Sequence, residues 1–138
     1  GQYAMISGTF SANPLSAAAG VAALGELDKP GTYETLRRSG ERLRDGLERV
    51  CQMLEVPALV DSLGPTVDVK FSDRDEIVDY RSNMDRDHDL EARVSVGLMK
   101  RGIFRLPGAP FFISLAHTDE DLDQTVDVFE TALREGRR

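Results

Sequence analysis

With 138 residues, 41% hydrophobic and 30% charged, the chain has the make-up of a folded domain with material for a core. A net charge of −7, with acidic residues spread along the whole sequence, excludes a nucleic-acid or anionic-membrane surface, which needs clustered basic groups. No stretch approaches the ~20 apolar residues of a membrane span, and a single cysteine, Cys51, leaves no internal disulfide and fits a reducing, cytoplasmic setting.

From Gly1 to Gly25 there is no charged residue; Glu26 is the first. The basic n-region of a signal peptide is missing, and with no initiator Met the sequence reads as a piece of a longer polypeptide. A charge-free run of Ala, Gly and Ser suits a contact surface. Residues 1–12 read as a loop; Asn13 and Pro14 then supply a helix cap and a proline at the first helical position, for a helix reaching about Leu27. Lys29-Pro30-Gly31 ends it, and Thr32 is expected to cap a second helix running to about Leu54. In that helix Leu36, Leu43, Leu47, Val50 and Leu54 make one apolar stripe, while Arg37, Arg38, Arg42, Arg44 and Arg49 interleave with acidic residues on a solvated face. Cys51 falls within it as a core or boundary residue; no neighbour favours a thiolate nucleophile.

Strands follow. Ala58–Val60 is short, Gly64-Pro65 marks a turn, and Thr66–Phe71 alternates with period two, placing Val67, Val69 and Phe71 on one face. A very polar stretch from Ser72 to Asp89 leaves room for a short helix around Ile77–Tyr80. Leu90, Val94 and Leu98 predict a further helix ending at Lys100-Arg101-Gly102. Ile103–Leu106 and Phe111–Leu115 read as two strands joined by Pro107-Gly108-Ala109-Pro110, and Thr118 with Asp121 begins a last helix whose stripe is Leu122, Val126, Phe129 and Leu133. The order predicts an α+β domain: a small, mostly antiparallel sheet with helices packed on one face.

Three features bear on chemistry. Ser7-Gly8-Thr9-Phe10-Ser11 offers hydroxyls and a Gly ahead of a helix start, which is either an anion cradle or, more commonly, an ordinary capped loop. Asp85-Arg86-Asp87-His88-Asp89 opens like a calcium loop, but Leu90 stands where Gly is needed and Val96 where the closing Glu is needed, so no metal site is assigned. His117, beside the cap of the last helix, reads as a hydrogen-bonded structural residue, and the acidic run from Asp119 to Asp123 complements the helix dipole.

Two of these stretches carry a resemblance. Ser7-Gly8-Thr9-Phe10-Ser11-Ala12-Asn13-Pro14-Leu15 resembles the Gly-Thr-Phe-Ser-Gly-Asn-Pro-Leu segment of class III (fold-type I) pyridoxal-phosphate aminotransferases, with Ala12 where the family has Gly. Phe112–Thr118 with Asp119–Asp123, and Gly102-Ile103-Phe104 upstream, are similar to the terminal strand and helix of the glutamate-1-semialdehyde aminomutase branch. The resemblance implies the C-terminal portion of such an enzyme: residues 1–30 as cofactor-phosphate loop and connecting helix, and 31–138 as the small α+β domain. It implies pyridoxal 5′-phosphate as cofactor, with Thr9, Gly8 and Ser7 at its phosphate in the active site of a homodimer partner subunit. The substrate implied is a small amino acid, amine or aldehyde. At the position where many of these aminotransferases carry a carboxylate-binding arginine stands Ser114, as in the aminomutases, but Leu106–Phe111 is shorter than the aminomutase stretch and lacks its glutamate. Arg105 is either a contact for an acidic substrate or, the preferred reading, a surface residue at a strand end. Lys29, Lys70 and Lys100 all follow the Gly-Thr-Phe-Ser segment, whereas the family's Schiff-base lysine precedes it, so no catalytic residue is assigned and the chain alone is expected to be inactive. The other reading is a free-standing α+β module for protein association, using the charge-free first 25 residues as its surface.

Overall fold

A computed structural model describes residues 8–11 and 13–137. It divides into two compact units, Gly1–Tyr33 and Glu34–Arg138. The first contains α1 (Pro14–Leu27), capped by Asn13, whose Oδ1 accepts from the N–H of Leu15 at 3.0 Å and of Ser16 at 3.2 Å. No side chain of α1 is buried, and Leu15, Val21 and Leu24 are among the most exposed large apolar groups. Thr32 opens α2 (Thr32–Met53) but does not cap it: its hydroxyl donates to Glu26 O at 3.2 Å.

The second unit carries the core. After α2 come β1 (Ala58–Leu63), β2 (Thr66–Phe71), α3 (Tyr80–Met84), α4 (His88–Met99), β3 (Phe111–Phe112) and α5 (Asp119–Gly136). The strands form one antiparallel sheet in the order β1-β2-β3. Val60 faces Val69 and Ala58 faces Phe71 across the first pair, and Val67 faces Phe111 across the second. Alternation along β2 turns Val67, Val69 and Phe71 inward, all but fully buried, while Thr66, Asp68 and Lys70 stay half-buried on the other side. Against the apolar side pack Leu43, Leu47 and Val50 of α2, Leu90, Val94 and Leu98 of α4, and Leu122, Phe129 and Leu133 of α5. The expected α+β architecture is therefore present, and each amphipathic stripe lies where its spacing placed it, with Val126 only half-buried.

Two further expectations of secondary structure fail. The short helix of the polar stretch lies at Tyr80–Met84, not at Ile77–Tyr80, because Asp79 and Ser82 form a capping box that fixes its start. Of the two strands expected at Ile103–Leu106 and Phe111–Leu115, only Phe111–Phe112 pairs. Beyond β3 the open edge of β2 is used in other ways. Carbonyls of alternate residues point to one edge, and on this edge Pro65 O accepts from Ile113 N at 2.9 Å, Val69 O from Arg105 Nη2 at 3.4 Å, and Phe71 O from Asp87 N at 2.8 Å. A side chain and a linker amide satisfy the positions a longer β3 would have taken.

Helix α2 passes close to the β1–β2 turn. A Cβ built on Gly40 would lie 1.9 Å from Gly64 O, a backbone atom that cannot rotate away. Gly40→Ala is therefore expected to lower stability by about 1–3 kcal/mol or more through forced displacement of helix or turn. Gly20→Ala in α1, where a Cβ meets nothing within 4 Å, is expected to be neutral or slightly stabilising. Denaturation midpoints of the two variants check the contrast.

Candidate functional site

The Gly-Thr-Phe-Ser segment folds as a tight turn, with Ser11 N donating to Gly8 O at 2.9 Å and Asn13 N to Phe10 O at 3.1 Å. Gly8, Thr9, Phe10 and Ser11 are all exposed. Ser7 lies outside the described residues, so only Gly8 and Thr9 of the three expected phosphate contacts are placed. Neither Thr9 nor Phe10 uses its N–H in a hydrogen bond among the described residues. A Cβ on Gly8 would meet Ser11 Oγ at 3.2 Å, so a side chain there would crowd the turn.

The helix end behind the turn offers less than its sequence suggests. Pro14 has no N–H, Leu15 and Ser16 give theirs to Asn13 Oδ1, and Ala17 gives its own to Asn13 O at 2.9 Å. Among the described residues of the turn, the donors left for an anion include the amides of Gly8, Thr9 and Phe10 and the hydroxyls of Thr9 and Ser11. These are neutral groups, and no residue up to Gly25 is charged. Such a turn fits one face of a phosphate whose charge is balanced by other groups. It does not amount to a complete anion site.

A second polar centre sits in the other unit and escaped the sequence reading. Arg105, expected at the surface, has a fully buried side chain. Its Nε donates to Ala109 O at 2.7 Å and its Nη2 to Glu91 Oε1 at 3.3 Å, while the ring of Phe111 lies 5.0 Å from the guanidinium carbon. Asp68 Oδ1 is 3.7 Å away, and Arg86 Nη1 lies 3.7 Å from Glu91 Oε2. Burial pushes the Arg105 pKa down, and the carboxylates of Glu91 and Asp68 oppose that shift. One signal was available: Glu91 adjoins Leu90 and precedes Ser95 and Leu98 by helical steps, so it falls inside the apolar stripe of α4. A carboxylate in that position needs a cation, and Arg105 is the one nearest it.

Close to β3, Ser114 is exposed, and His117 Nδ1 accepts from Ser114 N at 3.0 Å, with Ser114 Oγ also 3.0 Å away. Thr118 and Asp121 form the expected capping box of α5. Two carboxylates of the Asp85–Asp89 stretch have structural partners: Asp87 caps α4, and Asp85 pairs with Arg74. No group of three or more metal-ligating side chains occurs among the described residues, and no described helix is long and apolar enough to cross a membrane. A cleft of about 660 Å³ is lined by Phe104, Leu106, Pro110, Phe112, His117 and Asp121, among others.

No family model matches the chain. A protein named glutamate-1-semialdehyde 2,1-aminomutase, from Desulfosudis oleivorans, is 38% identical over 123 residues, which is 88% of this chain and 29% of that protein. Among solved structures, an omega-transaminase from Sphaerobacter thermophilus superposes with a TM-score of 0.81 at 28% identity, over 98% of this chain and 31% of its own. A glutamate-1-semialdehyde aminomutase from Pseudomonas aeruginosa PAO1 gives 0.82 at 22% identity, over 99% and 31%, and shares the fold. The chain spans about 30% of the length of the curated relatives it matches.

Two outcomes follow from the buried groups. Arg105→Met leaves Glu91 buried without its nearest cation and is expected to cost about 3–5 kcal/mol in an unfolding titration. Cys51 is buried in the core and its thiol is pushed up to about 12 by burial, so at pH 8 only about 10⁻⁴ of it is thiolate. A chromogenic disulfide reagent is expected to react with it only as the protein unfolds, and reaction at the rate of a free thiol in the native state would contradict this.

Proposed function

We propose that this chain, homologous over most of its length to glutamate-1-semialdehyde 2,1-aminomutases and folded as the C-terminal domain of class III pyridoxal-phosphate transferases, is the small-domain part of such an enzyme. The observation behind this reading is the 38% identity over 123 residues, and a superposition onto a transaminase that takes in 98% of the chain agrees with it.

On this reading residues 1–30 are the cofactor-phosphate loop and connecting helix, and residues 31–138 the small domain that helps wall the substrate pocket. Pyridoxal 5′-phosphate, when bound, supplies the carbonyl that takes up the amino group and the ring that stabilises the resulting negative charge. The Thr9 hydroxyl and amide donate to a phosphate oxygen, Gly8 lets the backbone come close, and Ser7 adds a further hydroxyl. Because the turn holds only neutral donors, the phosphate charge is balanced by groups outside residues 1–25. The turn serves the active site of the partner subunit in a homodimer, and the enzyme transfers an amino group on a small amino acid, amine or aldehyde.

None of the lysines is offered as the cofactor's covalent anchor. Lys29 pairs with Glu26 at 2.5 Å and Lys70 with Asp68 at 3.1 Å, while Lys100 follows α4 as its C-cap. The isolated chain is therefore expected to show no transaminase turnover with excess pyridoxal phosphate and an amine donor. Turnover accompanied by a lysine-bound cofactor absorbance would contradict the reading. In the longer polypeptide, Thr9→Ala removes a hydrogen bond to a charged group worth about 1.5–3 kcal/mol. Cofactor affinity in a fluorescence titration is then expected to fall by about ten-fold or more, and Thr9→Ser to restore most of it. Unchanged affinity in Thr9→Ala would remove the phosphate role from this turn.

A further inference from the structure

The ion cluster around Arg105 holds more buried polar atoms than it has protein partners. Arg105 Nε is committed to Ala109 O, and Nη2 divides its two hydrogens between Val69 O and Glu91 Oε1. Nothing on Nη2 is left for Asp68 Oδ1, which at 3.7 Å stands beyond hydrogen-bond reach. Asp68 Oδ1 and Arg105 Nη1 are both shut off from solvent and have no hydrogen-bond partner among the described residues. Leaving either group bare costs free energy, more so for charged groups, and native interiors satisfy such atoms with protein or with ordered water.

The chemistry of the pair selects its occupant. Arg105 Nη1 can only donate and an ionised Asp68 can only accept. An anion would suit the guanidinium but face the carboxylates of Asp68 and Glu91. A cation would suit the carboxylate but face the guanidinium. Water both accepts and donates, and a buried water needs two or more polar partners of this kind. Arg105, Ala109 and Phe111 also line the cleft of about 660 Å³, so the Arg105 end of the cluster lies in the wall of that cleft.

We propose that one internal water molecule belongs to this cluster, accepting from Arg105 Nη1 and donating to Asp68 Oδ1, and completes the contact that fastens the Arg105–Ala109 segment to the edge of β2. Arg86 Nη1 approaches the other carboxylate oxygen of Glu91, at 3.7 Å.

Oxygen-17 magnetic relaxation dispersion on the 138-residue chain reads long-lived internal waters directly. Asp68→Val removes the acceptor and is expected to lower the dispersion amplitude by that of one water molecule. Asp68→Asn keeps an acceptor oxygen and is expected to retain the amplitude. Equal amplitudes in the wild-type chain and Asp68→Val would overturn the proposal. Should Asp68→Val fail to fold, a high-resolution crystal structure of the wild-type chain decides. A water within about 3.2 Å of both Arg105 Nη1 and Asp68 Oδ1 supports the bridge, and direct contact between the two side chains with no water sinks it.

Discussion

The guanidinium of Arg105 at the open edge of β2 ties together parts of the fold that strand pairing leaves separate. β3 is only two residues long and covers β2 at Thr66 and Val67. Beyond that point a planar fork of donors does what a strand would have done, reaching Val69 O on the sheet, Glu91 on α4 and Ala109 O on its own loop. Taking a cation out of water is costly, so the arrangement holds only while the carboxylates and carbonyls around it remain in place. Its effect is geometric more than energetic: one rigid group fixes three segments at once.

The helical layer obeys a different constraint, that of closest approach. Gly40 brings α2 against the β1–β2 turn, and Gly46 brings the same helix against Val126 of α5, whose side chain a Cβ would meet at 2.5 Å. Arg42 then pairs with Asp123 at 2.8 Å across α2 and α5. That exposed pair adds little stability compared with the apolar core beneath it. Arg37 and Arg44 pair locally, with Glu34 and Glu41 and with Asp45, in keeping with a solvated face.

The Gly8–Ser11 turn has a different character. It carries hydroxyls and amides but no charge, and the helix behind it is closed by Asn13 and Pro14. Its contribution to phosphate binding, on the proposed function, is one of shape and neutral hydrogen bonds, with the electrostatic work done by other groups. The second unit instead presents a cleft whose walls include Phe104, Leu106 and Phe112, all exposed.

Local and periodic signals in the sequence determined most of the fold. Helical spacing placed Leu43, Leu47, Val94, Leu98, Phe129 and Leu133 in the core, period-two alternation did the same for Val67, Val69 and Phe71, and the caps at Asn13 and Thr118 began their helices where their side chains required. The Gly-Thr-Phe-Ser segment and the Phe112–Thr118 stretch carry the resemblance on which the proposed function rests. Only the tertiary structure decided what depends on partners distant in the chain. Ile103–Leu106 has the residues of a strand, yet it joins no sheet, and the Arg105 side chain rather than a backbone amide reaches Val69 O at the edge of β2. Arg105 looked like a surface residue because its carboxylate partners stand 14 and 37 positions away in sequence. No short-range pattern encodes such a meeting, since burial of a charge is decided by which opposite charges the folded chain brings to it.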